Sequence, residues 1–473
     1  MSRDRPSVPC PLRAAARSTP EAAAIFGPQG SITYDELDGR ASAAAFRLRE
    51  LEPGSRVALY LPRDERYVTL MLAVIRAGHV ACPVSDRLPP NGVAQLLERA
   101  ACNAVISDDD VLRSAGAGLY RSKPGPLLED RQRGEPADIH LDQPATIVFT
   151  SGSTGTPSAA LHAYGNHYHN ALGSNANITL RPGDRWLHSL PLYHVGGISI
   201  LFRCLLAGAT IALPGQGTPI GESVADLGAT HVSLVSTQLL RLLREDTELG
   251  GLKAVLMGGG PVSASLVDEA LSRGLPIHTS YGLTEMASQV TTTPPGAPPE
   301  ALRTAGRVLP EREVLISQEG EILVRGATLF AGYVEDGKLD LPLDTDGWFH
   351  TGDLGESDEN GYLRVLGRKD NLFVSGGENI QPEEIEEALS ALPGVEAAVV
   401  VPVDDPEFGQ RPAAFVRMEH GNTVDFALEL EQVLPRFKIP IAFYAWPEEG
   451  GGMKVNRVTF RERARLFHPD GRK

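Results

Sequence analysis

The sequence predicts an α/β protein in two parts, a large N-terminal domain over residues 1–369 and a small α+β domain over residues 370–473. Three observations lead there. Helical patterns alternate with short apolar runs through most of the N-terminal part, the rhythm of parallel sheets joined by crossover helices. Between Glu313 and Val365 the pattern changes to short strands broken by Gly and Asp turns, which reads as a β-rich subdomain. After Gly367-Arg-Lys-Asp370 comes a compact stretch of about 100 residues, enough for a core of its own. A chain of 473 residues is in any case too long for one core.

In chain order, Asp35–Leu51 reads as an amphipathic helix, Arg56–Leu61 as a buried strand, Tyr67–Arg76 as the next helix and Ala104–Ser107 as a strand. The middle repeats the rhythm. Ala145–Phe149, Thr230–Val235 and Lys253–Met257 read as strands, and Gln238–Arg244 as a helix. Thr292–Pro299 (TTPPGAPP) is low in complexity and reads as an exposed loop. In the last part, helices are expected at Pro382–Leu392 and Val424–Leu434, with strands at Val395–Val401 and Ala413–Met418.

Composition is that of a soluble globular protein, with 42% hydrophobic and 22% charged residues. The net charge of −16 argues against general affinity for nucleic acid or an anionic membrane, though not against small anions in a local positive field. The N-terminal stretch has no signal-peptide core, and no run of about 18 apolar residues occurs, so a cytoplasmic protein without membrane insertion is expected. Cys10, Cys82, Cys102 and Cys204 are scattered, which fits reduced thiols. A homo-oligomer is compatible with all of this.

The chemistry begins after the Ala145–Phe149 strand. Thr150–Gly155 packs four hydroxyls (Thr150, Ser151, Ser153, Thr154) and two glycines (Gly152, Gly155) into six residues. Glycines let a backbone approach a ligand and turn its N–H groups inward, and hydroxyls add neutral donors, so the loop suits a polyphosphate. It lacks the lysine of GxxxxGK[ST], which excludes a P-loop NTPase. Read alone, such a turn is also ordinary loop material. Glu285 offers a hard oxygen suited to Mg²⁺, and Thr284 a hydroxyl for a phosphate; a surface carboxylate is the plain alternative. Asp353 follows Gly352 in a turn between strand patterns, where Asp is most often structural. Lys454 follows Gly450-Gly-Gly452, a compact charge on a glycine-rich arm. His167 and His169 lack the other ligands of a metal site and read as surface residues.

The stretch FTSGSTGTP (149–157) resembles the phosphate loop of the adenylate-forming superfamily, which includes acyl-CoA synthetases, luciferases and peptide-synthetase adenylation domains. PLYHVGG (191–197), SYGLTE (280–285), GWFHTGD (347–353), GRKD (367–370) and GMKVNR (452–457) match further motifs in the family's order, across essentially the whole chain. The resemblance implies stacked mixed or parallel sheets in the large domain and a mobile C-terminal domain. It implies ATP, Mg²⁺ and CoA as the small-molecule partners. On it, Gly258, Gly259, Gly260 and Pro261 form part of the base pocket, Tyr281 stacks beside adenine with Ser280 and Gly282 also in the nucleotide site, and Asp353 with Arg368 takes the ribose hydroxyls. Thr284, Glu285 and Lys454 become catalytic, Glu285 also holds the metal, and Asp370 is the hinge. The phosphate loop departs from the family pattern, which places lysine after the proline; here Ser158 follows Pro157.

The runs 191–210, 232–239 and 370–379, with GGMKVNR, resemble one branch in particular, the o-succinylbenzoate–CoA ligases of menaquinone biosynthesis. The acid they imply has an aromatic ring and two carboxylates, so its pocket needs an apolar wall and a cation or several donors. Arg203, in an apolar helix pattern, is the candidate cation, with Ser199 and Thr237 as further donors. The alternative for Arg203 is a structural ion pair. His194 is expected at the acyl pocket, with a satisfied core histidine as its rival. Ligation of another aromatic or fatty acid is the competing activity. A catalytically silent nucleotide-binding homologue is the competing class, motivated by Ser158.

Overall fold

Short apolar runs, bounded by turns, form the buried strands of two large sheets. The computed structural model describes residues 6–108, 119–128, 138–150, 157–245, 247, 249–335, 337–419, 424–447 and 457–467. An eight-stranded sheet runs, edge to edge, through Lys338–Asp340, Gly332–Glu335, Ser158–Ala163, Pro144–Thr150, Val80–Pro83, Arg56–Tyr60, Ala104–Ser107 and Tyr120–Ser122. Its Val80–Pro83, Arg56–Tyr60 and Ala104–Ser107 strands pair in parallel, and the Pro144–Thr150/Ser158–Ala163 pair is antiparallel. The expected phosphate loop therefore joins two neighbouring strands of one sheet.

A nine-stranded sheet carries five strands in parallel succession, Ile277–Leu283, Ala254–Met257, His231–Leu234, Arg185–Leu187 and Thr210–Ala212. Helices Tyr34–Leu48 and Val195–Ala207 pack with strands of both sheets in one continuous apolar core. Local chemistry sets the helix ends. Thr33 and Glu36 form a reciprocal capping box ahead of Tyr34–Leu48, and the Asp64 side chain accepts from the backbone N–H groups of Arg66 and Tyr67 ahead of Glu65–Arg76.

The β-rich expectation between residues 313 and 365 corresponds to a four-stranded antiparallel sheet of Arg312–Ile316, Glu321–Gly326, Phe349–Ser357 and Leu363–Arg368. Beyond it, Val395–Asp405, Gly409–Met418 and Phe443–Ala445 form a three-stranded sheet. Two apolar clusters there, one around Ile380, Ile385 and Val400 and one around Phe415 and Phe460, draw only on residues from 373 onward. No helix among the described residues is long and apolar enough to cross a membrane.

Three expectations need correction. The helix expected over 424–434 spans only Phe426–Leu430. Gln432 and Val433 close tight turns onto Glu429 and Leu430, and Pro435 keeps the residue before it out of the helical region. Thr292 and Thr293 are buried rather than part of an exposed loop. They continue a strand alongside Ile277–Leu283, with Thr279 N–H donating to the Thr293 hydroxyl at 2.9 Å, and the chain leaves only at Pro294. His167 is buried: its helix lies against the eight-stranded sheet, and its Nε2 sits 2.8 Å from the Thr146 hydroxyl. His169, two residues on, is half-buried and faces Glu311.

Candidate active site

The candidate residues collect at the carboxyl ends of the parallel strands of the nine-stranded sheet, where open α/β sheets bind ligands. Gly258 follows Ala254–Met257, Thr284 follows Ile277–Leu283, and Thr237 lies in the first turn of the helix after His231–Leu234. The Ser280 hydroxyl donates to the Met257 carbonyl at 2.6 Å, tying two of these strand ends together. From there Gly258, Gly259, Gly260 and Pro261 continue as a turn whose Pro261 carbonyl accepts from the Ser236 hydroxyl. Only Gly258 is half-buried. Gly259, Gly260 and Pro261 are exposed, so the turn forms an open rim at the strand ends. Gly259 makes that rim possible: it sits at φ +80, and a Cβ there would stand 3.1 Å from Val235 Cγ1. Gly282 allows the chain to pass closely, since a Cβ there would stand 2.2 Å from the Ser288 carbonyl oxygen.

On the ribose side, antiparallel register places Asp353 directly opposite Arg368. Asp353 accepts from Arg368 Nη1 at 3.0 Å and from the Tyr281 hydroxyl at 2.6 Å. Burial works against the charge on Arg368, but the carboxylates of Asp353 and Asp370 outweigh it and raise its pKa. Burial raises the pKa of the Tyr281 phenol and the Asp353 carboxylate adds to it, so Tyr281 stays a donor. Gly352 sits at φ +71 and its N–H donates to Glu321, but both it and Asp353 lie within the Phe349–Ser357 strand, so Asp353 is held by strand pairing and not in the turn expected of it. One carboxylate thus joins the expected adenine-side tyrosine to the expected ribose-side arginine. Arg368 also reaches Asp370 at 3.2 Å, at the expected hinge.

Thr284 and Glu285 form a single 3₁₀ turn, Thr284–Met286. The Tyr333 hydroxyl donates to Glu285 Oε1 at 2.6 Å, and the Thr284 carbonyl lies 2.7 Å from His162 Nε2. Glu285 Oε2 makes no hydrogen bond among the described residues, which fits a hard cation that takes one protein carboxylate and completes its shell with phosphate oxygens. Among the described residues no three His, Cys, Asp or Glu gather into a larger metal cage.

On the acid side, Ser199 and Arg203 lie one turn apart on the buried Val195–Ala207 helix. No carboxylate among the described residues pairs with Arg203, so the structural ion pair is not its partner. Its guanidinium donates to Gln289 Oε1 at 2.5 Å, lies 5.0 Å from the Trp186 ring, and leaves Nε without a hydrogen bond. Burial, with Arg312 nearby, lowers its pKa to about 9, which keeps it charged at neutral pH. The Ser199 hydroxyl bonds locally to the Gly196 carbonyl. His194, at the start of this helix, is exposed against the Tyr193 ring, so it is not a core histidine. Thr237 is exposed and makes no hydrogen bond to Ser199 or Arg203.

Thr150 ends its strand with Ser158 opposite it. Ser151–Gly155 and Lys454 lie outside the described residues. Sequence reasoning missed His162, Tyr333 and Gln289, all held by partners distant in sequence; no spacing or motif marks them.

Three buried histidines make a prediction about pH. Burial lowers His162 to about 4 and His188 to about 3, and holds His167 well below the ordinary value of 6.5. The unfolded chain therefore binds more protons than the folded one below pH 6.5. Their contribution is complete above that pH and is lost on acidification toward pH 4, by about 1.4 kcal/mol per histidine per pH unit. Thermal melting followed from pH 7.5 to 5 is expected to show a falling midpoint; a flat profile would contradict the burial assignment.

The AMP-binding enzyme family matches residues 12–334, and the AMP-binding enzyme C-terminal domain matches residues 384–449. The chain belongs to the AMP-binding enzyme family. Within that family it is similar to a 2-succinylbenzoate–CoA ligase of Escherichia coli, 36% identical over 436 residues that cover 91% of this chain and 93% of that one. It also resembles the solved o-succinylbenzoate CoA synthetase (MenE) of Bacillus subtilis in complex with the acyl-adenylate intermediate OSB-AMP. The TM-score is 0.85 at 28% identity, covering 99% of both chains. The same protein in complex with ATP and magnesium ion gives a TM-score of 0.84 at 29% identity, covering 93% of this chain and 96% of that one.

Proposed function

We propose that this AMP-binding enzyme is an ATP-dependent acid–CoA ligase that converts o-succinylbenzoate to o-succinylbenzoyl-CoA, a step in making menaquinone. The observation that carries the ligase reading is the meeting of Tyr281, Asp353 and Arg368 beside the Thr284–Glu285 turn at the strand ends. The relatives' names supply the acid.

The reaction has two steps. The aliphatic carboxylate of the acid attacks the α-phosphate of ATP, pyrophosphate leaves, and the CoA thiol then displaces AMP to form the thioester. The substrate carboxylate is itself the nucleophile, so no side chain need supply one. Asp353, held by Tyr281 and Arg368, accepts the ribose hydroxyls. The Gly258–Pro261 rim and Ser280–Gly282 border the base, with Gly259 giving the rim its left-handed bend, and Thr150–Gly155 wraps the phosphates. Thr284 and Lys454 stabilise negative charge as it grows on the α-phosphate. Glu285 holds Mg²⁺, which neutralises phosphate charge. Arg203 meets the acid's second carboxylate, with the buried Ser199 one turn away and the exposed Thr237 and His194 nearer the acyl pocket's edge.

We place the domain boundary at 369/370, with Asp370 as hinge. Support comes from the self-contained apolar clusters beyond residue 373 and from the polar bridge of Gln381 to the Arg368 carbonyl across the join. The partners are small molecules in the cytoplasm.

Incubating the pure protein with ATP, CoA and a panel of acids tests the assignment. Thioester from o-succinylbenzoate is expected; thioester from fatty acids alone would overturn the acid. Absence of acid-dependent ATP–pyrophosphate exchange with every acid would overturn the ligase reading. At Ser158, lysine is expected to restore a charge beside the β- and γ-phosphates. Ser158→Lys should lower the KM for ATP several-fold, on the order of the 0.5–1.5 kcal/mol of one added polar contact. An unchanged or higher KM would show that Ser158 is not where that charge is missed.

A further inference from the structure

Glu285 and Thr284 are held from one side by two neighbouring strands. Ser158–Ala163, which leaves the phosphate loop, supplies His162, and Gly332–Glu335, paired with it, supplies Tyr333. The backbone N–H of Phe330, just ahead of that second strand, donates to the Glu285 carbonyl at 2.7 Å. Register sets Ala160 opposite Tyr333, whose hydroxyl reaches the carboxylate at 2.6 Å. The Phe330 ring packs edge-on against Tyr333 at 4.8 Å and limits how the phenol can swing. His162 is fully buried and neutral, and because its Nε2 faces a carbonyl, that nitrogen carries the proton.

The turn needs holding. Ala287 and Ser288, which follow it, have φ values of 56° and 134°, positive for non-glycine residues and so costly unless neighbours fix them. Of the two carboxylate oxygens, Oε1 is taken by Tyr333 while Oε2 has no hydrogen bond among the described residues.

We infer that Tyr333 and His162 are positioning residues for the metal: Tyr333 fixes the Glu285 carboxylate so that Oε2 faces the cation, and His162 anchors the turn to the strand that bears the phosphate loop. The inference rests on Glu285 as the Mg²⁺ ligand. Hydrogen-bond partners of metal-binding carboxylates typically govern metal affinity by 10–100-fold.

Calorimetric titration with a non-hydrolysable ATP analogue, with and without Mg²⁺, gives the metal-dependent gain in affinity; AMP, titrated without metal, is the control for an intact nucleotide site. Tyr333→Phe removes one oxygen and little volume. It should cut the metal-dependent gain about tenfold or more while AMP binding stays within about twofold. His162→Leu should cut it as well, and His162→Gln, which keeps a donor, should restore much of it. A wild-type gain in Tyr333→Phe, with the gain lost in Glu285→Ala, overturns the positioning role alone. A wild-type gain in Glu285→Ala overturns the metal assignment and the inference with it.

Discussion

Lys454→Ala is expected to slow acyl-adenylate formation about 10²–10³-fold and to leave thioester formation from preformed acyl-adenylate close to the wild-type rate. The magnitude is that of removing one donor aimed at developing charge in a water-poor site. Negative charge grows on the α-phosphate only during attack by the carboxylate. A lysine there stabilises the transition state more than bound ATP, so kcat should fall with little change in the KM for ATP. The described chain just downstream is firmly rooted. Arg457 donates to Glu383 at 3.0 Å, to Glu386 at 2.7 Å and to the Val400 carbonyl at 2.8 Å. The Lys454 substitution leaves that anchor untouched, which favours a chemical over a folding defect. ATP–pyrophosphate exchange reads the first step, and single turnover of isolated acyl-adenylate with CoA reads the second. Equal loss in both would assign Lys454 to general architecture.

The parts of the site legible in the sequence are those where chemistry lies in consecutive residues. The glycine turn Gly258-Gly259-Gly260 follows the Ala254–Met257 strand as expected and Thr284-Glu285 follows Ile277–Leu283, whereas Gly352-Asp353 lies within the Phe349–Ser357 strand and not in a turn. How far that glycine turn stands open at Gly259 was not legible, because exposure depends on what packs over a turn and not on its own residues. Strands were legible for a similar reason to the turns, since four-residue apolar runs such as Ala104–Ser107 and Ala254–Met257 are buried throughout. Other features depend on which strands become neighbours. His162 bonds to a residue 122 positions away and Tyr333 to one 48 away, and only the register of the eight-stranded sheet brings them there. His167 failed for the same reason, because its helix shows polar residues on the face that the sheet covers. Local pattern specifies elements; pairing supplies the groups that hold the catalytic turn.

Arg203→Ala is expected to raise the KM for o-succinylbenzoate roughly 10–100-fold, the loss of one charge-assisted contact worth about 1.5–3 kcal/mol. A buried cation is costly unless something compensates it. Here one amide oxygen and one indole face do so in part, no carboxylate among the described residues contributes, and Nε is unused. A substrate carboxylate is the group whose charge and geometry would complete this arrangement. Gln289 Oε1 already holds Nη2, so it sets how the guanidinium is turned, and Gln289 is itself tied to the Thr292 hydroxyl at 2.5 Å. The acid's aliphatic carboxylate must go to the phosphate, so Arg203 should read the aromatic one. That gives a test independent of folding. With 4-oxo-4-phenylbutanoate, which keeps the reacting arm but lacks the ring carboxylate, wild type and Arg203→Ala should perform alike. With o-succinylbenzoate they should differ by the full factor. Arg203→Lys, which keeps the charge without the planar fork, should fall between them. Equal loss for both acids would mean that the substitution damages the helix rather than the recognition, and an unchanged KM would remove Arg203 from the pocket.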